Sequence, residues 1–557
     1  MSFYDRRQLL AAMAGGLMLP GAALAAGRTL DTAYVNAVVW TGAPRAARAT
    51  ALGVIGDRIA AVGAGPVRAL SDKRTRVVDL KGAFVLPGFT DNHTHFLRAS
   101  QALSAADLRN AASRDQLARQ IGASAAKLKP GAWLLGGNWD HERWGGELPT
   151  HAWIDAVTPN TPVAVTRSDQ HMLLLNRLAL DLAGITRDTP DPEGGVIVRD
   201  AQGEPTGILK DKARRLVQRI IPPPTDLEVE QALARGVQYG LSLGVTQAHV
   251  TEIDWVTHHG LRRLRSHGET GMRFYSFVPL VDWEKMAEIV RTEGRGDDWV
   301  RWGAMKGLVD GSLGSRTALF HDHYDDAPDT KGIVVTRPAD LKHWVTGADK
   351  VGLQITVHAI GDAANDEILD IYEDVERLNG KRDRRFRIEH AQHLVPSAVA
   401  RFKALDVIAS VQPYHAIDDG RWAINRIGAE RLKGTYAFRS LLDAGARVTF
   451  GSDWPVAPLD PRLGLAAAVL RQTIDGANPG GWQPQEKISI EEALAAYTRA
   501  NAYAGFQDDR LGILAPGFLA DFVVMDTDLL TVDPARIATA QVLRTIVGGQ
   551  QRFGETT

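Results

Sequence analysis

Pro87-Gly88-Phe89-Thr90-Asp91-Asn92-His93-Thr94-His95 closes an apolar run, Ala83-Phe84-Val85-Leu86, and ends on two histidines two residues apart. Along a β-strand, residues two apart point to the same face, so the imidazoles of His93 and His95 can converge on one ion. A lone His-x-His is a weak signal, and it gains weight from its place at a strand end. If residues 84–93 form the first strand, the following chain should supply parallel partners with polar groups at their own C-terminal ends.

The following chain fits that expectation. Short apolar runs at 244–250, 273–279, 304–310, 354–360, 386–391, 408–413 and 447–453 alternate with amphipathic helical stretches. Eight strands with helices between them predict an α/β fold, a (β/α)8 TIM barrel, with a doubly wound open sheet as the alternative. The stretch 98–225 is too long for a loop. It is expected to be an inserted subdomain above the barrel mouth, leaving at Ile221-Pro222-Pro223-Pro224. Both ends of the mature chain are strand-like. Residues 28–83 and 508–557 therefore predict a small β-sandwich domain built from both termini, flanking a barrel over 84–507.

Most candidate ligands fall at strand ends. Lys306 lies in the apolar run Met305-Lys306-Gly307-Leu308-Val309-Asp310. Burying it is costly unless it is paired or neutralised. It reads as a lysine pointing outward, as one paired with Asp310, or as one carrying a CO2-derived carbamate. His358 and His390 each end a β-branched run, and Asp453 ends the last strand. Imidazole and carboxylate suit zinc and related divalent ions. Such ions activate water and polarise a carbonyl.

Composition narrows the chemistry. The chain has 557 residues, 45% of them hydrophobic, with a formal net charge of -2 and no cysteine. Disulfides, thiolate sites and cysteine nucleophiles are excluded. Nothing in the charge calls for a nucleic-acid partner. Arg6-Arg7 precedes an apolar run from Leu9 to Leu24, and Ala23-Leu24-Ala25 fits a cleavage site. Residues 1–25 thus read as a twin-arginine-type signal, implying a periplasmic or secreted protein with no stable membrane anchor after cleavage.

Taken together, PGFTDNHTH (87–95), GGNWDHERW (136–144), MKGLVDGSLGSRTA (305–318), TVHAIGD (356–362), RIEHAQ (387–392), FGSDWPV (450–456) and LGILAPGFLADFVVMD (511–526) resemble the amidohydrolase superfamily. The likeness is to the amidohydrolase-3 group, which includes N-substituted formamide deformylases. It covers essentially the whole mature chain. Phe518 departs from the lysine usual in the last motif. The resemblance implies that His93 and His95 hold one metal with Asp453. It implies that Lys306, as a carbamate, bridges to a second metal bound by His358 and His390. Asp453 would also move the proton from the attacking water to the departing amine. One or two divalent ions per chain, zinc first among them, are expected.

The activity implied is cleavage of an amide or formamide-type C–N bond by metal-activated hydroxide. The alternatives are a cyclic amide, ester or lactone hydrolase on the same scaffold, or an inert periplasmic binding protein. Trp139, His171, Arg316 and Tyr414 are candidate substrate contacts, with Trp139 equally explained by packing and Arg316 by a role in its loop or beside Asp310. His415 could line the mouth or help hold a carbonyl. His258, His259, His321 and His323 are expected at the surface. The sequence leaves the oligomeric state open, with a homodimer as one common outcome.

Overall fold

The computed structural model describes residues 28–555 apart from 104–105, 130, 168–171, 193–194, 253 and 269. The twin-arginine segment and His171 lie outside the described residues. Eight parallel strands form one sheet. They are β1 (Phe89–Thr94), β2 (Val245–Val250), β3 (Arg273–Pro279), β4 (Val300–Leu308), β5 (Gln354–Ala359), β6 (Arg387–His390), β7 (Ile408–Val411) and β8 (Arg447–Phe450). Each pairs with its neighbours in chain order. The ring closes where Thr94 bridges Trp454 in parallel. There the Asp453 amide donates to His93 O at 2.8 Å and the His95 amide to Trp454 O at 2.8 Å. This is the TIM barrel, and its closing seam carries three of the predicted ligand positions, His93, His95 and Asp453.

The strands are short and apolar because both faces are covered. The helix Asp362–Asn379, between β5 and β6, buries Ala364, Ile368, Leu369, Ile371, Tyr372 and Val375 on one face. That spacing is the 3.6-residue period of an amphipathic helix. Gly380, at φ 78°, ends it in a backbone conformation that glycine tolerates. The helix Trp255–Ser266 starts on Asp254, whose carboxylate accepts the Thr257 amide at 3.0 Å.

The expected first strand, 84–93, is two strands. Phe84–Pro87 pairs antiparallel with Phe522–Met525 in a separate sheet, and only Phe89–Thr94 enters the barrel. Gly88 makes the crossing. A Cβ there would lie 2.2 Å from the Thr246 hydroxyl, so a side chain would push the strand off the barrel.

The small domain is a β-sandwich. One sheet holds Arg58–Val62, Leu52–Ile55, Thr32–Val35 and Arg76–Asp79. The other holds Val38–Val39, Phe84–Pro87, Phe522–Met525, Val542–Val547 and Gln550–Phe553. Tyr34, Leu52, Ile59 and Val78 from the first sheet share a core with Val39, Val85, Phe522 and Ile546 from the second. Tyr34 meets Phe522 edge to face at 5.0 Å. The C-terminal strands complete only the second sheet.

The chain divides into two compact units, and the second comprises Leu97–Ala232. It has its own six-stranded sheet and a core including Leu117, Ile121, Leu134, Ile154 and Leu174. It runs past the proline exit into the helix Asp226–Ser242. Among the described residues, no helix is long and apolar enough to cross a membrane.

Candidate metal centre

Asp91, His93 and His95 have the same parity at the end of β1. Asp453 stands across the closing seam. Its Oδ1 lies 3.6 Å from His93 Nε2 and 3.2 Å from His95 Nε2. Two ligand atoms on a tetrahedral zinc at its usual bond lengths are about 3.3 Å apart. The His390 ring centroid is 4.8 Å from that of His93 and 4.5 Å from that of His358. Ligand atoms of His93, His390 and Asp453 all lie within 4.8 Å of one another. The expected pairing put His390 with the second ion; the structure also groups it with His93 and Asp453.

Two of these residues sit on unusual backbone. His390 has φ 75° and Asp453 φ 61°, in the left-handed region that costs a non-glycine residue energy. At His390 the consequence is direct. Regular alternation would turn His390 away from the face used by Glu389, and the left-handed turn brings both inward.

The rings are held in defined orientations. His93 Nδ1 lies 2.5 Å from Glu389 Oε2, which leaves Nε2 toward Asp453. His390 Nδ1 lies 2.8 Å from Gln412 Oε1, leaving its Nε2 for the cluster. His358 is reversed. Its Nε2 meets Gly311 O at 2.9 Å and stands 3.4 Å from Asp310 Oδ1, so Nδ1 is the free nitrogen. Carboxylate and carbonyl partners of this kind fix tautomer and ring direction in metal sites.

The residues present fit a divalent ion. His93 Nε2 and Asp453 Oδ1 are buried and have no hydrogen-bond partner. A buried polar atom without a partner is costly, and a shared cation between these two would satisfy both. Protonation agrees with this. Burial, and then the charge of Lys306, push His93 down to about 4 and His358 to about 3. Burial and then His358 hold His390 well below the ordinary histidine range. Neutral imidazole is the ligand form. Burial alone would raise the Asp453 carboxyl, but His93 and His95 hold it below the usual carboxylate range.

Lys306 is 3% exposed on β4. Burial lowers its ammonium to about 8, against the opposing pull of Glu389 and Asp453. It forms no pair with Asp310. That carboxylate instead accepts the amides of Leu319 at 2.8 Å, Ile360 at 3.0 Å and Gly361 at 2.8 Å. Burial raises it to about 7. Asp91 is likewise raised to about 7 by burial, and its Oδ1 ties the amides of His93 and Ser452, each at 3.0 Å, across the seam.

Other expectations fare differently. Arg316 does not reach Asp310. It pairs with Asp326 at 3.0 and 2.9 Å, a loop-stabilising role. Trp139 is fully buried in the core of the Leu97–Ala232 unit, its indole donating to Val165 O at 3.0 Å. Packing therefore accounts for it. Tyr414 is half-buried on the helix Pro413–Asp419. His258 is not a surface residue. It is buried against Trp255 and Trp302 and bonds the Ser276 hydroxyl at 3.1 Å.

Sequence reasoning passed over the layer beneath the ligands. Glu389 Oε1 pairs with Arg387 at 2.7 Å and accepts the Thr356 hydroxyl, while Oε2 accepts Ser410 at 2.6 Å beside His93. Arg387 also donates to Asn92 O at 2.7 Å and meets His249 Nδ1 at 2.9 Å. The signal was present. Arg387 and Glu389 are two apart in an apolar strand, the spacing that marks His93 and His95.

Residues 76–553 match the family model described as the amidohydrolase family. The chain is 38% identical to the protein LONG AFTER FAR-RED 3 of Arabidopsis thaliana, over 95% of this chain and 92% of that one. It is 30% identical to the N-substituted formamide deformylase of Arthrobacter pascens, over 94% of this chain and 99% of that one. Among solved structures it resembles an uncharacterized metal-dependent hydrolase from Pyrococcus furiosus, with a TM-score of 0.77 and 29% identity over 90% of this chain and all of that one. The chain therefore belongs to the amidohydrolase family of metal-dependent hydrolases.

Proposed function

We propose that the chain hydrolyses a carbon–nitrogen bond of the amide or formamide type. The observation that carries this reading is the convergence of His93, His390 and Asp453 at the strand ends of the barrel. The likeness to a formamide deformylase supports the choice of bond.

In this reading His93, His95 and Asp453 hold one divalent ion, zinc by donor preference, and His358 and His390 a second. Lys306, as a carbamate formed when its neutral amine adds CO2 and releases a proton, would supply oxygen ligands to both. With its ammonium at about 8, about a tenth of the amine is neutral at pH 7, enough to feed that addition. A bound divalent ion lowers the pKa of water toward neutrality and polarises the substrate carbonyl. The chain's residues do the rest. Ionised Asp453 accepts the proton of the attacking water and returns it to the nitrogen as the C–N bond breaks, yielding an acid and an amine. Glu389 keeps the His93 proton on Nδ1, so that Nε2 would be the ligand atom.

The test is a substrate panel on metal-loaded protein: N-alkyl formamides, linear amides, cyclic amides, esters and lactones. Turnover of a formamide or linear amide, abolished by a chelator and restored by zinc, is expected. Turnover confined to cyclic amides, esters or lactones would overturn the choice of bond. Small-molecule binding without any turnover would favour the inert binding protein. We further propose export through residues 1–25. Replacing both Arg6 and Arg7 by lysine should retain the protein in the cytoplasm.

A further inference from the structure

We propose that His415 is a catalytic residue that donates a hydrogen bond from Nε2 to the carbonyl oxygen of the substrate. The inference rests on the amide-hydrolase reading above and deepens it.

His415 enters the site from the helix Pro413–Asp419, immediately after β7. Its ring lies parallel to that of His390, 9° apart at a centroid distance of 6.3 Å. Its Nε2 stands 3.9 Å from Asp453 Oδ2, the carboxylate oxygen opposite the one that faces His93 and His95. Nε2 is buried and has no hydrogen-bond partner, although the side chain as a whole is 13% exposed. A buried ring nitrogen without a partner needs an explanation, and one facing a cluster of convergent ligands invites a ligand atom.

The proton position follows from the neighbour. A carboxylate favours the tautomer whose N–H faces it, so Nε2 carries the hydrogen. At 3.9 Å the two atoms are too far apart for a direct hydrogen bond. The donor is thus left for an atom entering beside Asp453. In an amide that acceptor is the carbonyl oxygen, because the nitrogen lone pair is delocalised. As water adds to the carbon, negative charge builds on this oxygen, and a fixed N–H strengthens its hold on it. The contact then favours the transition state over the bound amide.

The test compares wild type with His415→Phe, which keeps a ring against His390 and removes the donor, and with His415→Gln, which restores a donor at similar reach. Each is assayed on the best amide of the panel and for binding of a tetrahedral phosphonamidate built on the same amine. Loss of one such donor costs about 10²–10³ in turnover. His415→Phe should therefore lose about that factor in kcat/KM and an equal factor in phosphonamidate affinity. KM and zinc content should stay near wild type, and His415→Gln should recover part of the loss. Equal kcat/KM in wild type and His415→Phe would overturn the proposal. So would a loss traced to reduced zinc content, or to unfolding in both variants. An inactive wild type would instead overturn the amide-hydrolase reading, and the proposal with it.

Discussion

Replacing Glu389 by glutamine tests how the protein builds its metal ligands. Four donors converge on this carboxylate: His93 Nδ1 at 2.5 Å and Ser410 at 2.6 Å on Oε2, Arg387 at 2.7 Å and Thr356 on Oε1. A carboxylate only accepts, so all four are satisfied. Glutamine turns one of the two oxygens into a donor that faces two donors. It also removes the charge opposite a fully buried Arg387. Breaking one side of a buried ion pair costs about 3–5 kcal/mol in stability. Removing the partner that orients a metal-bound histidine costs about 10–100-fold in metal affinity, or about 1.4–2.7 kcal/mol. Zinc titration of metal-free Glu389→Gln against a competing chromophoric chelator measures the second quantity, and urea melts of the metal-free protein the first. Both should fall. Zinc affinity within twofold of wild type would refute the claim that Glu389 sets the His93 ligand.

Lys306→Ala should lose activity and bind about one zinc fewer than wild type, with partial rescue of turnover by a short carboxylic acid, read by metal analysis and steady-state assay. Phe522→Ala should destabilise the metal-free protein by about 3–5 kcal/mol through the sandwich core, with zinc affinity unchanged, as urea melts and titration will show. His258 is held at about 3, first by burial and then by the charges of His259, Arg262 and Lys285. Its unfolded form gains a proton below about 6.5 while the folded form does not, so its contribution is lost as pH falls through that range. Between pH 6.5 and 4.5, wild type should lose about 2.3 kcal/mol more stability than His258→Gln, measured by denaturant melts at each pH.

The barrel was legible because its strands are short, apolar and separated by periodic helices, a pattern set by burial on both faces. The split at Gly88 was not, since Phe84–Pro87 and Phe89–Thr94 read as one run and only close passage by Thr246 separates them. The candidate ligand histidines were legible because each falls at a strand end. His390 joins His93 and Asp453 for a reason the strand pattern does not contain, its left-handed backbone. For Arg316 the sequence left a loop role and a place beside Asp310 open, and the structure takes the first: Asp310 is satisfied by three backbone amides and Arg316 by Asp326. His258 read as a surface residue because a helix face is invisible without knowing which side meets Trp302. Arg387 and Glu389 were legible in principle, as a charged pair two apart in an apolar strand.

The central claim is that His93, His95, Asp453, Lys306, His358 and His390 form a divalent-metal centre that activates water. Metal content of the purified protein, measured alongside amide turnover during stepwise removal and return of zinc, tests it most directly. One to two ions per chain, with turnover falling and recovering in step with occupancy, is the predicted result. Full turnover in protein stripped of metal would contradict it.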